Sequence, residues 1–155
     1  MRRTSTILLA TTLLATAPAA AGDAQPDDAV FRALSVRHGA PSCEEVEALT
    51  PTPVETLLRL VEEVELPPWV PMRAAECLTT RHAEQIDDHL RRWVVGAETR
   101  GLGRLVVDHL DHVPRPLARE LALSALREGP EPELARARIT RLRTPELRDL
   151  AEVPR

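Results

Sequence analysis

The stretch Thr52-Pro-Val-Glu-Thr-Leu-Leu-Arg-Leu-Val-Glu-Glu-Val64 decides the fold class. Val54, Leu57, Leu58, Val61 and Val64 recur at i, i+3, i+4, i+7 and i+10, which is one face of a helix and not the alternation of a strand. Thr52, Pro53 and Glu55 supply an N-cap, a first-position proline and an acidic third residue, and Thr144, Pro145 and Glu146 repeat the pattern. Ser42 with Glu45 makes a capping box, and Leu102, Leu105, Val106, Leu110 and Val113 form a second apolar stripe. With boundaries at Pro67-Pro68, Pro114/Pro116 and Pro130/Pro132, eight helices are expected at 42–49, 53–64, 69–80, 83–95, 100–113, 115–128, 132–142 and 145–152.

The composition agrees. The 155 residues are 43% hydrophobic, with three aromatics only (Phe31, Trp69 and Trp93). Strands are usually built from aromatic and β-branched residues, so a β-sandwich or dinucleotide-binding sheet is excluded and an all-α domain expected. The dominant Leu, Ala, Arg and Glu are strong helix formers. All 20 basic residues are Arg and none is Lys, a bias that reads as genomic.

Residues 1–21 read as an export signal peptide. Arg2 and Arg3 form the positive start, Ile7 to Ala15 the apolar stretch, and Ala19-Ala20-Ala21 the cleavage site. Residues 22–40 are expected as a flexible lead-in with at most a helical turn at Phe31 and Leu34, and 41–155 as the helical domain. The expected mature chain is therefore soluble, periplasmic or secreted, with no membrane span. Its 18 Arg face 24 acids, and the charge is uneven. Gly22 to Pro68 holds 3 Arg and 10 acids, whereas Pro114 to Arg155 holds 9 Arg and 7 acids. Such asymmetry can orient a partner by its field.

A weak internal repeat of 32 residues aligns Val46, Leu78, Leu110 and Leu142, and likewise Val54/Ile86/Ala118, Leu58/Leu90/Ala122 and Val61/Trp93/Ala125. Two helices and two turns fill that length, so each unit is expected to be an antiparallel helical hairpin. Within it, Val70-Pro-Met-Arg-Ala-Ala-Glu-Cys-Leu78 resembles the first helix of a HEAT-like repeat, and Pro116-Leu-Ala-Arg-Glu-Leu-Ala-Leu-Ser-Ala-Leu126 resembles it better. The likeness covers about residues 52–142. It implies a short right-handed α-solenoid of about eight antiparallel helices, stabilised by neighbour packing. The two best matches end 48 residues apart, three helices rather than two, so strict alternation puts them in different roles.

Cys43 and Cys77 are the only cysteines. An even count in an exported chain favours a disulfide, and the first and third helices of a hairpin array are neighbours. The competing reading is two buried thiols. Neither reads as a nucleophile, since no near His in helical register accompanies them.

His109 and His112 in Asp108-His-Leu-Asp-His112 fall three apart on one expected helix, and His89 on the preceding one brings a third imidazole within reach of a divalent metal site. Against this, His109 lies in the apolar stripe, and the spacing matches no zinc motif. His82 and His89 bracket Glu84, Asp87 and Asp88, which read as solvated surface. Arg136, Arg138, Arg141 and Arg143 make a basic face that reads either as pairing with Glu133, Glu146 and Asp149 or as docking an acidic partner. Nucleic acid is not expected there, because no aromatic accompanies the arginines and the chain is acidic. Trp93 reads as a core anchor and Trp69 as a packing residue. Gly101-Leu-Gly103 lacks the strand, third Gly and Lys of a phosphate loop.

No catalytic or cofactor motif stands out. The leading expectation is a non-enzymatic protein–protein interaction or scaffold module with an unidentified protein partner. The alternative is a metal- or small-ligand-binding protein using His89, His109 and His112.

Overall fold

The stripe that opens at Thr52 forms a helix whose Thr56, Leu57 and Leu60 are buried, with Val54, Leu58 and Val61 half-buried against the core. The computed structural model describes residues 26–62 and 66–152. The expected signal peptide and Val64 lie outside them. Chain order is α1 (Pro26–Ser35), α2 (Cys43–Glu47), α3 (Pro53–Glu62), α4 (Trp69–Arg81), α5 (Asp87–Val95), α6 (Arg100–Asp108), α7 (Arg115–Arg127), α8 (Pro132–Ile139) and α9 (Pro145–Glu152). A 3-10 turn, Leu110–His112, links α6 to α7, and no strand occurs among the described residues. The protein is all-α there, and none of these helices is long and apolar enough to cross a membrane.

Successive helices pair as α3 with α4, α5 with α6 and α7 with α8. Along the chain, α4, α6 and α8 contact in one row, and α5, α7 and α9 in another. Ala74 and Ala75 of α4, Ala118, Ala122 and Ala125 of α7 and Ala135 of α8 are buried. Their small side chains let helix axes approach, while Leu57, Leu78, Leu90 and Leu121 fill the remaining space. The 32-residue register lands on the core: Val46 and Leu78 are 0% exposed, Leu110 1% and Leu142 6%. The two motif-bearing helices, α4 and α7, belong to different rows, which accounts for their 48-residue separation.

The capping box is present at α2. Glu45 N–H donates to Ser42 Oγ (3.3 Å), and Ser42 N–H donates to Glu45 Oε2 (2.8 Å). Cys43 and Cys77 are joined as a disulfide with Cα atoms 5.3 Å apart, tying α2 to α4.

The helix expected over 132–142 ends at Ile139 and the one over 42–49 spans Cys43–Glu47; three larger differences have a physical cause. Residues 26–35, assigned to the flexible lead-in, form α1, whose Val30 and Leu34 are buried. Its last carbonyls are capped from α4: Arg73 Nη1 donates to Leu34 O (2.8 Å) and to Val36 O, and Trp69 Nε1 donates to Ser35 O (3.3 Å). Those partners lie more than 30 residues away, so local patterning does not reveal them. Residues 83–86 are a turn rather than the start of a helix at 83, because Ala83 and Ile86 are drawn into the core while α5 begins at Asp87. The helix expected over 100–113 stops at Asp108. Pro114 disfavours helical backbone at Val113, which is extended (φ −86°, ψ 142°), and the chain closes with the 3-10 turn.

Candidate functional site

The end of α6 builds one wall of an open, polar concavity. His109 N–H is shared between Leu105 O (3.2 Å) and Val106 O (3.1 Å), and the 3-10 turn then buries Leu110 while leaving His112 exposed. His109 and His112 remain neighbours, with ring centroids 6.0 Å apart and planes tilted by 46°, although they do not share one α-helical face. Opposite them, α8 and the turn after it contribute Leu134, Ala137, Arg138, Arg141 and Arg143. Between the two sides runs an open groove of about 710 Å³.

Hydrogen bonds between successive elements surround this groove. Arg138 donates to Asp108 Oδ2, linking α8 to the end of α6. Asp111 accepts from the Arg143 N–H at Oδ2 (2.7 Å) and from the Thr144 N–H at Oδ1 (3.0 Å), so the 3-10 turn fixes the approach to α9. Arg136 donates to Ala151 O and anchors the far end of α9. His109 Nε2 sits 3.8 Å from Glu76 Oε1 on α4. Partial burial pushes the Asp111 carboxyl up, but the bonds from Arg143 and Thr144 and the Arg143 charge outweigh it and hold it below the ordinary carboxylate value.

The basic face expected at Arg136, Arg138, Arg141 and Arg143 is therefore divided. Arg136 and Arg138 are occupied in holding α9 and α6, whereas Arg141 and Arg143 are exposed at the groove. The sequence fails to separate them because the carbonyl and carboxylate that take the first two lie 15 and 30 residues away. The organising role of Asp111 is hidden from local sequence for the same reason. Its partners are 32 and 33 residues on, one repeat length, which is the only sequence signal that points to them.

The expected trio of imidazoles does not assemble. His89 Nε2 lies 3.9 Å from Glu62 Oε1 on α3, and its ring stands edge-on to Trp93 at 6.1 Å. His109 and His112 sit instead at the end of α6. Among the described residues no group of three His, Cys, Asp or Glu side chains is placed to hold a metal ion. His82 is engaged elsewhere: it and Arg81 both reach Glu47, at 3.0 and 2.8 Å. On the α5–α7 row, Arg91 bridges Asp87, Asp88 and Glu120, and its hydrogen bonds depress the Asp87 and Glu120 carboxyl values. Trp93 is buried as a core anchor, and Trp69 packs half-buried under the Arg37 guanidinium, 4.7 Å from its ring centre. Gly103 has a packing role, since a Cβ there would meet Trp93 O at 2.7 Å.

No protein-family model matches the chain, and comparison with curated proteins and with solved structures finds no match.

Proposed function

We propose that the chain is an exported, non-enzymatic protein-interaction module, built as a short HEAT-like α-solenoid whose α4–α6–α8 row offers the groove to a partner. The observation that carries this reading is the groove itself. Its fixed walls are braced by Asp108–Arg138 and by Asp111 on the α9 approach, while Leu134, Ala137, Arg141 and Arg143 line it. Asp108, Arg138 and Asp111 are spent on joining elements, which leaves Arg141, Arg143 and His112 exposed in the lining for a partner. Binding surfaces of helical arrays arise in this way, from a rigid row of helices that needs no change of fold. The two-row packing and the buried 32-residue register support hairpin repeats, and a disulfide suits an oxidising compartment.

Affinity capture with the tagged mature chain from a periplasmic or secreted fraction tests the reading. The wild type and Arg119→Glu on α7 should retain the same protein, and Ala137→Trp, which fills the groove, should lose it. Retention by none of the three, or equally by all, contradicts the reading.

A further inference from the structure

We propose that the groove binds an acidic segment of its partner, with the Arg141 and Arg143 guanidiniums and the His112 imidazole facing its carboxylates. This rests on the interaction reading above and names the chemistry of the occupant.

The argument is one of charge left over once internal partners are assigned. Three arginines and two aspartates line the groove. Asp108 is neutralised by Arg138, while Asp111 keeps its charge near Arg143 with its oxygens held by the Arg143 and Thr144 N–H groups, so three arginines against two aspartates leave the lining one net positive charge. Glu76 lies at the margin beside His109 rather than beside the arginines. Arg141, Arg143 and His112 are all exposed and line the same groove. The full chain carries a net charge of −4, so its overall field repels acids. A local cationic groove on an acidic molecule thus favours an acidic ligand at this site specifically. Apolar Leu134, Ala137 and Leu142 among the lining, together with the size of the groove, suit a peptide segment better than a small anion.

The test is fluorescence anisotropy with a short fluorescein-labelled peptide of alternating Glu and Ala, at low ionic strength, on the mature chain. Saturable binding is expected, weakened about tenfold by Arg141→Glu with Arg143→Glu. The pair Arg115→Glu with Arg119→Glu changes the net charge equally on α7 and should leave binding unchanged. Far-UV circular dichroism checks each fold, and Arg141→Gln with Arg143→Gln should show a smaller loss in the same direction. Absence of saturable binding, equal weakening by the two charge-reversed pairs, or displacement of the peptide by equimolar inorganic phosphate overturns the proposal. If the peptide fails while Ala137→Trp still abolishes partner capture, the acidic occupant falls and the interaction reading stands. If capture also fails, both fall.

Discussion

Asp111 shows how one side chain can join segments far apart in the sequence. Its carboxylate receives the N–H groups of Arg143 and Thr144 just ahead of α9. Because the folded carboxyl sits below its ordinary value, it stabilises the fold above the unfolded value of ~3.9 and loses that contribution as pH falls through the folded value. Asp111→Asn should cost about 1–3 kcal/mol at neutral pH in urea unfolding. The gap to wild type should narrow below about pH 4. A gap that stays constant into acid contradicts the role. The exposed Arg91 bridge to Glu120 makes a contrast. Such surface pairs contribute little, and Glu120→Gln should leave the unfolding midpoint nearly unchanged. At this scale the sequence was informative about type and uninformative about partner. Spacing put His109 beside His112, but nothing local separates Arg138, which has an aspartate, from Arg141.

For helices, legibility followed the range of the forces that fix them. Ser42 and Glu45 cap α2 as their spacing implies, because both partners are in the same turn. By contrast, α1 exists because Arg73 and Trp69 cap it from α4, and α6 stops early because Pro114 and buried Leu110 draw the chain off axis. Gly101 and Gly103 separate two further cases. A Cβ at Gly103 would strike the Trp93 carbonyl at 2.7 Å and Val94 Cα at 3.3 Å, both backbone, whereas at Gly101 the nearest contact is Met72 Sδ at 4.0 Å. Gly103→Ala should therefore destabilise by about 1–3 kcal/mol, by forcing α5 and α6 apart. Gly101→Ala should be neutral or stabilising by up to about 1 kcal/mol, from helix propensity. Thermal unfolding of the two variants side by side checks this, and equal effects would contradict the close approach.

For the whole molecule, the all-helical character of the described residues was legible because helical spacing is local, and Val46, Leu78, Leu110 and Leu142, set 32 residues apart, are all buried. The two motif-bearing helices, α4 and α7, lie in different rows of contacting helices. The Cys43–Cys77 bridge closes a loop of 34 residues between α2 and α4. Replacing both cysteines with serine should cost about 3–4 kcal/mol on the chain-entropy account. Hydrogen exchange should locate the loss at α1, α2 and α4, with α7 to α9 retaining protection, as expected when stability is a sum over neighbours. Uniform loss of protection would show that the array unfolds as one unit. In the proposed interaction module the α4–α6–α8 row is the face that meets a partner. Photocrosslinking in the producing cell, with the crosslinker placed in turn at Ala137 in the groove and at Arg119 on α7, tests it most directly. A discrete adduct from Ala137 alone is the predicted result, and adducts from Arg119 alone, from both positions equally or from neither would contradict it.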